Sequence, residues 1–112
     1  MRHHLTVDVE EYFQVHALEP HVPRDSWPSL PSRVERGTHA LMELMAEHGV
    51  QGTFFVLGWV AARHPRLVGD IAAAGHEVAS HGWGHRKVTE ITPEQFRASV
   101  RDSKRVLEDA AG

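Results

Sequence analysis

Three short segments with strand character, at residues 5–10, 53–56 and 76–80, are each followed by helical signal, and this alternation decides the fold class. Leu5-Thr6-Val7-Asp8-Val9-Glu10 alternates apolar and polar residues and is rich in β-branched side chains. Thr53-Phe54-Phe55-Val56 is a continuous apolar run, as expected of a strand covered on both faces. His76-Glu77-Val78-Ala79-Ser80 reads as the third strand. Ser32-Arg33-Val34-Glu35 matches a capping box, and Val34, Leu41, Leu44, Met45 and His48 follow at roughly helical spacing up to a stop at Gly49. Gly37 weakens that helix by about 1 kcal/mol without ending it. Residues 59–63 form a helical turn, and Pro65 opens a further helix that runs through Leu67, Val68, Ile71 and Ala72 to Gly75. Thr92-Pro93-Glu94-Gln95 is a second capping box, and Phe96, Val100, Ser103 and Leu107 place a last helix over 93–109.

The order β-loop-α-β-α-β-α predicts an α/β fold with parallel strands alternating with helices through right-handed crossovers. No internal repeat or flexible linker divides the chain, so residues 1–112 are expected to form one domain. Three parallel strands make a thin sheet with unpaired edges, and the chain therefore reads as the first part of a larger α/β barrel or open sheet. The isolated chain is expected to be marginally stable or prone to aggregate.

Residues 12–31 contain four prolines and no sustained period, and are expected to form a long irregular loop with one helical turn, pinned to the body by Trp27. The chain has no cysteine, which excludes disulfides, thiolate zinc sites and cysteine nucleophiles. A net charge of −3 without a basic stripe gives no nucleic-acid surface. The start lacks the apolar core of a signal peptide, and the longest uncharged apolar stretch, 52–62, is too short to span a bilayer. A cytoplasmic location with no membrane partner is the expectation.

Two clusters carry chemistry. In Asp8-Val9-Glu10-Glu11, strand geometry puts Asp8 and Glu10 on one side, with Glu11 facing away unless the strand has already turned. Carboxylates so close are costly unless something positive sits between them, although an acidic run alone is more often a solvated turn. In Ser80-His81-Gly82-Trp83-Gly84-His85, two imidazoles lie four residues apart in a segment whose glycines suit a loop wrapping closely around a site. The spacing by itself is weak, because ten histidines scattered at random give about 0.8 such pairs. The conjunction is stronger. Both clusters follow predicted strands, where parallel α/β folds gather their active sites. One carboxylate and two imidazoles make a common hydrolytic metal set, leaving the second carboxylate free to act as a base.

Other histidines have plainer explanations. His76 and His81 are one residue too far apart for the zinc-protease helix motif. His39, His48 and His64 fall in helices or at their ends and read as surface residues; His16 and His21 lie in the long loop without an evident role. Trp83 reads as a packing or substrate-platform residue, and the charged face of the last helix as solvated.

Residues 5–15 (LTVDVEEYFQV), 52–58 (GTFFVLG) and 75–85 (GHEVASHGWGH) together resemble the polysaccharide deacetylase family, the NodB-homology group also called carbohydrate esterase family 4. The first motif is most similar to the branch associated with bacterial exopolysaccharide and PEP-CTERM loci. The resemblance implies a distorted (β/α) barrel, a divalent metal that is usually zinc, and an N-acetylated polysaccharide substrate. The family's first motif has two adjacent aspartates, a general base and a metal ligand. Asp8 fits the base, but Val9 stands in the adjacent position; the strand geometry makes Glu10 the third ligand, with Glu11 as runner-up. His81 and His85 fit the two metal-binding histidines, and Gly82 replaces the serine that usually follows the first. The family's later motifs, including a histidine general acid, have no counterpart here, so the sequence is expected to be a partial domain, inactive alone. The resemblance implies metal-assisted hydrolysis of the N-acetyl amide. Two alternatives share its features: an allantoinase- or cyclic-imide-type amidohydrolase, and a truncated segment that binds metal, sugar or a partner without turnover.

Overall fold

The computed structural model describes residues 1–112. In chain order it contains β1 (Thr6–Val9), α1 (Val34–Glu47), β2 (Thr53–Val56), α2 (Gly58–Arg63), α3 (Pro65–Ala73), β3 (Glu77–Ser80) and α4 (Pro93–Ala111). The sheet order is β1-β2-β3, and both pairings are parallel. Parallel strands alternating with helices are therefore present as the sequence pattern requires. Val9 pairs with Val56, and Val56 with Ser80, so the three strands finish level on one rim. Asp8, Glu10 and His81 all belong to that rim.

The core lies where α2, α3 and α4 cover the sheet. Phe54, Val56, Leu57, Val60, Leu67, Val68 and Ile71 have no exposed surface. Met45 and Val34 of α1 and Leu107 of α4 join the same cluster. β2 is the central strand, but its apolar run is fully covered on one face only: Phe54 and Val56 are buried, whereas Thr53 and Phe55 are half-buried. His64 separates α2 from α3 at φ −129° and ψ 58°, because the residue before Pro65 is pushed out of helical conformation.

Four expectations change in detail. The first and third strands are one to two residues shorter than their sequence signals. The capping box at Ser32 does not form: Arg33 is the N-cap and no side chain caps α1. Ser32 Oγ donates to the Glu11 carboxylate, which holds the side chain at the end of β1. Leu44 of α1 is exposed, and Met42 packs toward the core in its place. The apolar stripe of α4 is only half used: Ser103 and Leu107 are buried, but Phe96 and Val100 are exposed. The second capping box does form, with Gln95 N donating to Thr92 Oγ1 at 3.1 Å and Thr92 N to Gln95 Oε1 at 2.9 Å.

Residues 12–31 are more ordered than an irregular loop. They form three 3-10 turns, Tyr12–Gln14, His16–Leu18 and Arg24–Ser29. Trp27 pins them as expected. It is 5% exposed and sits 5.8 Å from the Phe13 ring and 5.6 Å from the Trp59 ring of α2. Glu11 has turned inward where the strand ends. Its carboxylate accepts from Ser32 Oγ and, at 3.0 Å, from Arg33 N, tying the end of β1 to the start of α1.

Candidate metal centre

Glu10 leaves the end of β1 and points across the rim toward the loop after β3. Its Oε2 lies 3.3 Å from His81 Nε2 and 3.1 Å from His85 Nε2. The three donor atoms all fall within 4.8 Å of one another. Asp8, two residues earlier on the same side of the strand, places Oδ2 3.9 Å from His81 Nε2 and is the most exposed member of the group. The rim thus brings together all four residues singled out from the sequence. Glu11 lies outside the set, since both its carboxylate oxygens are engaged with Ser32 and Arg33.

The donor set fits a divalent ion. Glu10 Oε2 and His81 Nε2 are buried and make no hydrogen bond, although they face each other. Atoms so close yet unbonded are costly unless a third body satisfies them. Ligands about 2.0–2.1 Å from a tetrahedral zinc lie roughly 3.3 Å apart, the kind of spacing found here. Burial pushes the His85 pKa below the ordinary histidine value; His16, His81 and Arg24 act in the same direction and Glu10 opposes them. The lowered value favours the neutral imidazole, which is the ligating form.

The loop that carries both histidines is held along its length. His81 N donates to Val56 O at 3.1 Å, extending the ladder by one residue. Gly82 then adopts φ 75°, a left-handed conformation that glycine reaches without the penalty a Cβ would bring. The first amides of α2 grip the loop, Gly58 N on Gly82 O at 2.8 Å and Trp59 N on Trp83 O at 3.0 Å. The Trp83 ring lies against Gly58, where a Cβ would come within 2.4 Å of it. On the other side, Trp83 N donates to Ser99 Oγ of α4 at 2.9 Å. His85 itself sits at φ 60°, the sole non-glycine residue with positive φ.

Three neighbours were not visible as site residues in the sequence. His16 stacks on His85 with ring centroids 4.5 Å apart. Arg24 donates to the Gly84 and His85 carbonyls. Ser99 holds Trp83 from α4. None carries a local signal, because each acts across a large sequence separation. The remaining histidines lie elsewhere. His39 pairs with Asp70 at 3.0 Å, and His64 with Glu35 at 3.3 Å. His48 Nδ1 lies 2.9 Å from Leu44 O, and His76 accepts from Gly52 N at 3.2 Å. A cleft of about 950 Å³ opens beside the ligand loop, lined by Trp83, His81, His85 and the exposed start of α4 among others.

Residues 25–112 match the sequence profile of the family described as polysaccharide deacetylase. The chain belongs to this family. A chitooligosaccharide deacetylase from Rhizobium leguminosarum bv. trifolii is 36% identical over 73 residues, covering 65% of this chain and 34% of the relative. A peptidoglycan-N-acetylglucosamine deacetylase from Bacillus cereus is 28% identical over 75 residues, covering 67% of this chain and 27% of that protein. A solved structure from Mycobacterium smegmatis assigned to the polysaccharide deacetylases superposes with a TM-score of 0.77 at 28% identity, covering 97% of this chain and 39% of that one. The chain thus spans about a third of the length of the curated relatives it matches. Both curated relatives are named as deacetylases, and the α/β fold of this chain matches part of the solved deacetylase structure. No helix of the chain is long and apolar enough to cross a membrane.

Proposed function

We propose that this chain supplies the metal-binding and base-bearing part of a hydrolase that removes N-acetyl groups from an amino-sugar polysaccharide. The observation that carries this reading is the convergence of Glu10 Oε2, His81 Nε2 and His85 Nε2 with two of those atoms buried and unbonded. Glu10, His81 and His85 would hold a divalent ion, with zinc suited to one carboxylate and two imidazoles. When bound, the ion would contribute Lewis acidity toward the acetamide carbonyl and toward a water molecule.

Asp8 is the general base in this reading. It is the most exposed carboxylate of the group. It takes the proton of the water that attacks the acetamide carbon. As the C–N bond breaks, the leaving nitrogen takes up a proton equivalent to the one Asp8 removed from water, giving acetate and the sugar amine. The Trp83 side of the cleft gives an aromatic wall against which a sugar ring could rest. The named relatives act on sugar polymers, so they favour this substrate class over a ureide or cyclic imide.

The experiment is acetate release from N-acetylated chito-oligosaccharides by the protein carrying this segment in its full reading frame, loaded with zinc, beside an Asp8→Asn variant. Loss of turnover with zinc affinity retained supports the base assignment. Undiminished turnover in Asp8→Asn contradicts it. Hydrolysis of small ureides or imides in place of the oligosaccharide would move the substrate class to the amidohydrolase alternative.

A further inference from the structure

The four consecutive carbonyls of the ligand loop, 82 to 85, are held by two different hands. Gly82 O and Trp83 O accept from the first amides of α2. Gly84 O and His85 O accept from a single side chain, the Arg24 guanidinium, through Nη1 and through Nη2 at 3.4 Å. Arg24 is 60 residues away from Gly84 in sequence and reaches it from the third 3-10 turn of residues 12–31. We infer that Arg24 is a positioning residue that sets the metal affinity of the site by fixing His85 in its left-handed backbone conformation. The inference rests on the metal reading given above.

Three observations support it. A histidine at φ 60° is an unfavourable backbone state that persists only when its surroundings hold it. The guanidinium is itself anchored. Its Nε and Nη2 donate to Glu19 Oε1 at 3.3 and 3.2 Å, and its Cζ lies 4.7 Å from the centroid of the buried Trp27 ring. Glu19 also meets His16 Nδ1 at 3.4 Å, and His16 stacks on the His85 ring. Backbone and ring of His85 are thus both contacted from the same segment. A planar fork can serve two carbonyls and a carboxylate at once, which a lysine ammonium does less well.

The test compares zinc affinity, by competition with a chromophoric chelator, in wild type, Arg24→Ala, Arg24→Lys, Glu19→Gln and His85→Ala. Outer residues that orient a ligand are worth about 10–100-fold in metal affinity, so Arg24→Ala is expected to weaken zinc about 10-fold or more. Arg24→Lys should recover part of the loss, Glu19→Gln should lose a few-fold, and millimolar guanidinium should partly restore Arg24→Ala. Chemical rescue is a readout that a merely structural role would not give. If Arg24→Ala proves unfolded by circular dichroism, the decision passes to Arg24→Lys and Glu19→Gln, which keep charge or shape. Wild-type affinity in the folded Arg24 and Glu19 variants, with His85→Ala impaired, overturns the role of Arg24. Wild-type affinity in His85→Ala as well overturns the metal reading itself, and the role of Arg24 with it.

Discussion

The interior beneath the sheet and the rim above it obey opposite rules. Beneath the sheet, Phe54, Leu57, Val60, Leu67 and Ile71 are fully buried and carry no polar side-chain atom that needs a partner. At the rim, Glu10 Oε2, His81 Nε2 and His85 Nδ1 are buried without any. The first region follows every rule for a stable core. The second violates one, within a few ångströms of the strand ends, and holds a residue in a left-handed conformation besides. Local breaches of this kind are expected at sites selected for function. The difference separates residues that keep the chain folded from those it would use.

The contrast can be broken from either side. At the rim, the His81→Ala/His85→Ala double variant should weaken zinc binding by more than about 100-fold, beyond the range of outer residues. Its unfolding midpoint without metal should be no lower than that of the wild type, since those atoms are unsatisfied; thermal melts with and without zinc read both effects. Beneath the sheet, Leu67→Ala should cost about 2–5 kcal/mol by denaturant titration, while the ligand atoms stay untouched. Glu11→Ala lies between the two regions. It removes the acceptor of Ser32 Oγ and Arg33 N, and should cost about 1–3 kcal/mol.

A smaller effect concerns pH. His85 has a folded pKa below its ordinary value, chiefly through burial. The unfolded chain then binds the proton more readily than the folded one. The metal-free protein should therefore lose stability as pH falls from the ordinary histidine range toward the lowered folded pKa, and His85→Ala should flatten that slope in melts between pH 7 and 5. The smallest effect is at the start of α4. Thr92→Ala should cost about 1 kcal/mol, with no change in zinc affinity.

The parts of the fold that were legible in the sequence are those fixed by local chemistry. Pro65 at a helix start, Gly49 and Gly75 at helix ends and the Thr92 capping box need only near neighbours. Asp8, Glu10, His81 and His85 were legible because period-2 geometry and the strand-end rule place them on one rim. What failed was decided at long range. The Ser32 box matched its motif, but the Ser32 hydroxyl is bonded to Glu11 across 21 residues and α1 starts one residue later, at Val34 with Arg33 as N-cap. Phe96 and Val100 continue a true helical stripe, but they are exposed and line the cleft beside Trp83. Arg24, His16 and Ser99 enter the site through contacts that no spacing rule encodes.

That Glu10, His81 and His85 hold a metal ion through Oε2, Nε2 and Nε2 is tested most directly by titration calorimetry of the metal-free chain with zinc, beside the His81→Ala/His85→Ala variant, with both shown folded by circular dichroism. One zinc bound per chain, lost in the variant, is the predicted result. A folded wild-type chain that takes up no zinc, or a variant that binds it as tightly as the wild type, would contradict the account.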